Sequence, residues 1–230
     1  MRPPTAAPWC SVVIPTLNEA TYLPATLRQL AGHNIEVIVS DGGSTDGTVG
    51  LARAAGARIV RSAPGRADQL NAGAGHARGT HLLFLHADTL LPTDFVAILR
   101  GEGSDLPASF RLRFGGGHRS WLLRFYGYCT RFAVPAFRFG DQGLWVRRQD
   151  FQAVGGYPTG WRLLEDNEMV RRLSRHRGGF RVLPAEVVTS PRKYLRHGTA
   201  YTQCVYVVLY TLYRLGAGQA VLYRLYRRLL

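Results

Sequence analysis

Four acidic positions in this chain sit beside glycines or at the ends of apolar runs, where carboxylates can do chemistry. Asp41 opens the turn Asp41-Gly42-Gly43-Ser44 directly after an apolar run. Its carboxylate can accept hydrogen bonds from a uracil or guanine N–H or from ribose hydroxyls, and it can equally close an Asx turn. Asp46, further along the same turn, reads as a helix cap. Asp88 ends another apolar run as His86-Ala87-Asp88. Hard divalent cations favour carboxylate oxygens, so Asp88 suits a site where Mn2+ or Mg2+ offsets the charge of a diphosphate. His86 matches Mn2+ better than Mg2+, and its expected role is a hydrogen-bonded histidine behind that site. Arg66 opens a helical run, where it can grip a diphosphate with help from the helix N-terminus or simply lie solvated. Gln69 and Asn71 follow on the same run. The turn Gly140-Asp141-Gln142-Gly143 places an acid and an amide where they can line a sugar or an acceptor. Trp161 can stack on a sugar ring.

Placing these groups requires a scaffold of strands and helices. Cys10–Pro15, Glu36–Ser40, Ala57–Arg61 and Leu82–Leu85 read as short β-branched or apolar strands. Between them lie helical patterns: Tyr22, Leu23, Leu27 and Leu30 after an Asn18 cap, then Val49, Ala52 and Ala55 after Ser44 or Asp46, then Gly65–Ala77. Continuous apolar strands alternating with helices predict an α/β fold with a mostly parallel open sheet, helices on both faces, and ligand beyond the carboxyl ends of the strands. The second half is mixed. Phe110, Leu112 and Phe114 alternate as in a strand ended by Gly115–Gly117. Trp121–Phe132 reads as a helix, Phe139–Arg147 as a turn and strand, and Phe151–Tyr157 as a short helix stopped by glycines. Asp166–Arg175 reads as a helix, followed by a strand at Phe180–Leu183. Arg192, Lys193 and His197 fall in an expected loop.

Three stretches in order, Ser11–Glu19 (SVVIPTLNE), Val39–Thr48 (VSDGGSTDGT) and Leu83–Thr89 (LFLHADT), resemble family 2 of the glycosyltransferases, with its Rossmann-like GT-A fold. The chain looks most similar to the small branch called radical SAM/selenodomain-associated transferases. The resemblance runs from about Cys10 to about Pro184. It implies a nucleoside-diphosphate sugar donor, UDP- or GDP-linked, with Pro15, Thr16 and Glu19 joining Asp41 in the nucleotide pocket and Arg66 and Gln69 lining the donor site. Asp88 matches the last, metal-holding aspartate of the family's DxD motif, whereas His86 replaces the first. Glu165-Asp166 matches the family's acidic pair, which makes Asp166 the expected general base, with Glu165 beside it, for an inverting transfer that needs no covalent intermediate. Asp141 and Gln142 match the region that closes the sugar pocket. A loop after the core closes over the diphosphate in many such enzymes, and His197 there would complete the metal shell. The QxxRW motif of processive synthases is absent, which argues for single sugar transfer to a small or lipid-linked acceptor. The implied organisation is a GT-A domain over residues 1–197, donor half about 10–90 and acceptor half about 91–197, with a helical tail over 198–230.

The charge is uneven. Of a net +14, residues 171–230 carry 12 basic groups against 1 acidic, a net +11. Such a field attracts nucleic acid, anionic lipid or a phosphorylated substrate. RNP, KH and zinc-finger patterns are absent, which leaves a nucleic-acid binder resting on charge alone. A sugar-phosphate nucleotidyltransferase would carry a GxGTR-like loop near its start, and none is seen. A degenerate member that keeps the fold and only binds nucleotide remains an alternative because of His86. The tail has no charge from 198 to 213, a run shorter than the ~20 residues of a membrane span. Seven of the 11 tyrosines lie between Tyr194 and Tyr226, and Tyr206, Tyr210 and Tyr213 share a helical face. That face suits an anionic membrane surface or a lipid-phosphate acceptor, and it suits a packed helix or the contact of a homo-oligomer equally. Three scattered cysteines and no apolar leader in Met1–Trp9 predict a reducing, cytoplasmic setting, with or without peripheral attachment to the inner face of the membrane.

Overall fold

The structure is a computed structural model that describes residues 8–101, 106–116 and 120–230. The leader reading of the first seven residues and the end of the glycine run at Gly117 lie outside the described residues. The first half alternates strands and helices: β1 (Cys10–Thr16), α1 (Leu23–Leu30), β2 (Glu36–Asp41), α2 (Thr48–Ala54), β3 (Arg58–Arg61), α3 (Arg66–Gly75) and β4 (His81–Phe84). Next come β5 (Thr89–Leu90), α4 (Phe95–Gly101), β6 (Ala108–Phe114), α5 (Trp121–Cys129), β7 (Leu144–Arg147) and α6 (Arg148–Ala153). The chain continues through α7 (Glu165–Arg177), β8 (Arg181–Thr189), α8 (Arg192–His197), α9 (Thr199–Arg214) and α10 (Gln219–Leu229).

Eight strands form one sheet in the order β3-β2-β1-β4-β7-β6-β8-β5. The ladders of the first half, β3-β2, β2-β1 and β1-β4, are parallel, as the alternation of strands and helices dictates. Beyond β4 the sheet is mixed, because β7 runs antiparallel to both β4 and β6, while β6 and β8 are parallel. Strand periodicity puts alternate residues of β1 into two cores. Cys10, Val12 and Ile14 meet Leu23, Leu27 and Leu30 of α1 and Phe95 and Leu99 of α4. Val13 meets Ala67, Leu70 and Ala74 of α3 and, with Leu82 and Phe84, joins Met169, Val170 and Leu173 of α7. Helices therefore cover both faces, and the polar strand ends collect at one edge.

Several local expectations change. Asn18 does not cap α1. It adopts φ +57° and its amide oxygen accepts from the Thr45 N–H at 2.9 Å, tying the first loop to the Asp41 turn. Gly47, not Ser44 or Asp46, precedes α2, although Asp46 still accepts from the Thr48 N–H at 2.9 Å. The expected loop carrying Arg192 and His197 is helix α8. The tail folds into a hairpin of α9 and α10 with its own small core of Val205, Leu209 and Leu222, against which Tyr206, Tyr213 and Tyr226 pack. No helix among the described residues is long and apolar enough to cross a membrane.

Candidate active site

The donor-side edge is built where β1 and β2 end in register, pairing Thr16 with Asp41. Gly43, at φ +99°, lets the chain double back so that its own N–H and that of Ser44 donate to Asp41 Oδ2 at 3.0 and 3.1 Å. The Thr16 hydroxyl reaches Asp41 Oδ1 at 3.4 Å. Pro15 lies half-buried just before it. Gln69 of α3 is buried beneath this turn and donates to the carbonyls of Thr16 at 2.7 Å and Ser40 at 3.0 Å. Its amide thus joins two strand ends and positions Asp41. Asn71 clamps a different segment, exchanging two 2.9 Å bonds with the backbone of Tyr157.

Asp88 projects after β4, where the buried hydroxyl of Thr26 in α1 holds the Ala87 carbonyl at 2.7 Å. Arg192 of α8 lies 3.2 Å from Asp88 and forms a two-pronged pair with Glu19 at 2.6 and 2.8 Å. One cation therefore spans two acids from the first and third recognised stretches. Burial raises the Asp88 pKa, against the pull of Arg192.

The other acids come from α7 and from the 3-10 turn Gly140–Gln142. Leu164 takes a left-handed φ of +61° immediately before α7. For a branched non-glycine residue this conformation is strained, a feature that concentrates at working sites. It places Glu165 and Asp166 in the first helical turn, where the helix dipole favours negative charge. Glu165 pairs with Arg66 at 3.2 Å, and Asp166 lies 3.9 Å from the same guanidinium. Asp166 Oδ2 accepts the Gly140 N–H at 3.0 Å. A methyl group on Gly140 would lie 2.5 Å from His86 Nε2 and 2.6 Å from Asp166 Oδ2, so the bare backbone is what lets these two groups converge.

Electrostatics bind the two sides together. Burial, then the Glu165 carboxylate, lift the Asp166 pKa to about 7, while Arg66 opposes them. Burial, then Asp88, lift Asp141 to about 7. His86 is held well below its ordinary value by burial and by Arg66, Lys193 and Arg192, which keeps its imidazole neutral. Asp88, Asp141, Asp166 and His86 thus share one field, bordered by three cations.

The remaining expected residues take other places. Gln142 is fully buried and donates inward to the Phe137 carbonyl at 2.5 Å. Trp161 packs edge-on against Tyr213 of α9, with ring centres 5.9 Å apart. His197 ends α8, whose ties to Glu19 and to Tyr206 run through Arg192 and Lys193. Sequence reasoning did not anticipate Lys193 as a linchpin. Its ammonium donates to the hydroxyls of Tyr206 at 2.9 Å and Tyr226 at 3.0 Å, fastening the tail hairpin to α8. The concentration of tyrosines signalled this, but their partner is a lysine of the chain itself. Gly140 likewise gave no signal, since its role lies in what a Cβ would strike.

The architecture is that of a GT-A glycosyltransferase. A mannosyltransferase of Pyrobaculum calidifontis, solved with GDP-Man and Mn2+, superposes with a TM-score of 0.69 at 20% identity, over 96% of this chain and 69% of that one. Glucosyl-3-phosphoglycerate synthase of Mycobacterium tuberculosis, solved with Mn2+, UDP and glucosyl-3-phosphoglycerate, superposes with a TM-score of 0.60 at 21% identity, over 91% of this chain and 80% of that one. The family model described as Glycosyl transferase family 2 matches residues 11–153, and the chain belongs to that family. A PGL/p-HBAD biosynthesis glycosyltransferase of Mycobacterium bovis (strain BCG / Pasteur 1173P2) is 35% identical over an alignment 184 residues long that covers 70% of this chain and 68% of that protein. The protein is a glycosyltransferase.

Proposed function

We propose that the protein moves one sugar, with inversion, from a UDP- or GDP-sugar to the hydroxyl of a small or lipid-linked acceptor, with Asp166 as the general base. The carrying observation is the meeting of Asp166, the Gly140 N–H and neutral His86 beside the Asp88–Asp141 pair. A base works best when its pKa lies near the working pH, and burial with Glu165 brings Asp166 to about 7. Gly140 fixes one carboxylate oxygen and leaves the other to take the acceptor proton. Asp41, Thr16 and Pro15 would hold the nucleoside, with Gln69 as their support, and Glu19 orients Arg192. Arg66 stands at the start of α3, where it can exchange part of its hold on Glu165 for a donor phosphate. Asp141 would face the sugar, with buried Gln142 bracing its turn through the Phe137 carbonyl and Trp161 further out toward the tail.

The residues present fit a divalent cation supplied with the donor. Asp88 and Asp141 repel each other, and Asp141 Oδ1 and His86 Nε2 are buried without a hydrogen-bond partner. No group of three or more ligating side chains is preassembled among the described residues. A cation here would take Asp88 and fill its shell mainly with phosphate oxygens, the usual habit of Mg2+ and open to Mn2+. His86 and His197 are the nitrogen candidates. Such a cation would offset the charge that builds on the departing diphosphate. The Mn2+ in the two solved neighbours supports this reading. The kinship to the radical SAM/selenodomain-associated branch, and a peripheral place on the inner face of a membrane, belong to the same proposal.

The test is a thermal-shift panel of nucleoside diphosphates with and without Mn2+, followed by NMR of the product's anomeric configuration. Binding of UDP or GDP only when Mn2+ is present, with an inverted product, is expected. Release of pyrophosphate, or a retained configuration, refutes the reading.

A further inference from the structure

The outer face of α5 has no partner among the described residues, although its inner face is fully engaged. Inward, Leu123 is buried and Tyr126 packs against Phe114 and Phe139, with ring centres 6.1 and 6.4 Å apart. Outward, Trp121, Phe125, Tyr128 and Phe132 recur four, three and four residues apart, one stripe along the helix and its exit. They are 74%, 58%, 50% and 48% exposed. Single exposed rings are ordinary, but four on one stripe form a contiguous patch that marks an interaction surface. The stripe is edged by exposed Arg124 and Arg131, and the Arg131 guanidinium lies 4.0 Å from the centre of the Tyr128 ring. Along residues 120–137 the only charged side chains are those of Arg124 and Arg131, with no aspartate or glutamate. Rings flanked by arginines, without acids, are the composition of a helix lying in the headgroup layer of an anionic bilayer.

We propose that the outer face of α5 docks on an anionic lipid bilayer, its rings entering the interface and its arginines meeting lipid phosphates. A second copy of the chain is a poorer occupant, since a two-fold contact would set these arginines against one another. Part of the tail's apolar surface is already engaged. Val205, Leu209 and Leu222 are spent on the hairpin core, and two of its tyrosines on Lys193. Resting on the transferase reading, docking has one consequence. Tyr126 of α5 touches Phe139, the neighbour of Gly140, so the acceptor side of the cleft would stand beside the headgroups and favour an acceptor carried on lipid.

The test is sedimentation of the full chain with phosphatidylcholine vesicles, with and without phosphatidylglycerol, read beside the nucleotide-induced thermal shift. Wild-type protein should bind only the phosphatidylglycerol vesicles, and less as salt rises. The double variant Trp121→Ser/Phe125→Ser should lose at least about tenfold in vesicle affinity, since each ring contributes buried apolar area. Arg124→Glu/Arg131→Glu should lose binding while keeping every ring. Both should retain the wild-type nucleotide shift, which separates a failure of docking from a failure of the donor site. Equal sedimentation of wild type and both variants overturns the proposal. So does absence of wild-type binding, or a dimer that the ring variant converts to monomer.

Discussion

Replacing Asp166 with Asn should make the protein more stable at pH 8 while removing its activity. Burial and the Glu165 carboxylate raise the Asp166 pKa from an ordinary 3.8 to about 7. The folded chain therefore holds this proton more tightly than the unfolded chain does. The stability this contributes is whole below the unfolded pKa and is lost as pH rises through 7. At about 1.4 kcal/mol for each pH unit between the two values, the loss is at most about 4 kcal/mol. Asn is neutral throughout, and its oxygen can still accept the Gly140 N–H. The variant should match wild type near pH 4 and exceed it at pH 8 by about 1–4 kcal/mol, a Tm rise of about 3–10 °C for a chain of this size. Transfer should fall by about 10²–10⁴-fold, and the rise of wild-type kcat/KM through pH 7 should vanish. Differential scanning calorimetry from pH 4 to 8.5, with initial rates over the same range, checks both. A Tm difference that does not change with pH, or a variant less stable at pH 8, refutes the buried, charge-crowded base.

Gly140→Ala should cut transfer by more than about 100-fold, with a stability loss of about 1–3 kcal/mol, because the methyl would strike His86 and Asp166 at 2.5 and 2.6 Å. Steady-state rates and chemical denaturation measure the two effects. Asp88→Asn should abolish the Mn2+-dependent nucleotide thermal shift, because Asp88 is the carboxylate proposed to meet the cation; a shift equal to that of wild type refutes this role. Glu36→Gln should act on stability alone, by about 1–3 kcal/mol, since Glu36 accepts from the Ser11 hydroxyl at 2.6 Å and the Arg78 N–H at 2.8 Å far from the cleft. The Ser11 and Arg78 bonds outweigh burial and hold the Glu36 pKa down, so its stabilisation stands above about pH 4.5 and fades as pH falls further. Urea melts at pH 7 and pH 3 test the sign.

The donor half was legible because its signals are local. A strand that ends at Asp41 and turns through Gly42 and Gly43 must present its carboxylate at the sheet edge, and the β2 and α3 boundaries followed to within a residue or two. The same locality explains the error at Asn18. Its type suits a cap, but the Thr45 N–H across the loop competes for its side chain and wins. β5 and α4 were passed over: β5 is two residues long, and the α4 pattern is short and lies beside apolar Leu91.

The acceptor half was less legible because its groups are defined by contacts between segments far apart in the chain. Arg192 matters through Glu19, 173 positions earlier, and Arg66 through Glu165, 99 positions later. No periodicity encodes such pairs, so in the sequence Arg192 reads as a loop cation and Arg66 as a phosphate ligand or a solvated cation. Their pairing has a physical consequence that composition hides. With 29 basic residues against 15 acidic ones, the chain has cations to spare, yet its site carboxylates are either matched by one arginine or left to raise one another's pKa. Adding cations at random would not change this, because exposed charge is screened while the cleft is not. What brings the Asp166 pKa to about 7 is burial among several acids with few cations placed against them, and that placement belongs to the folded chain.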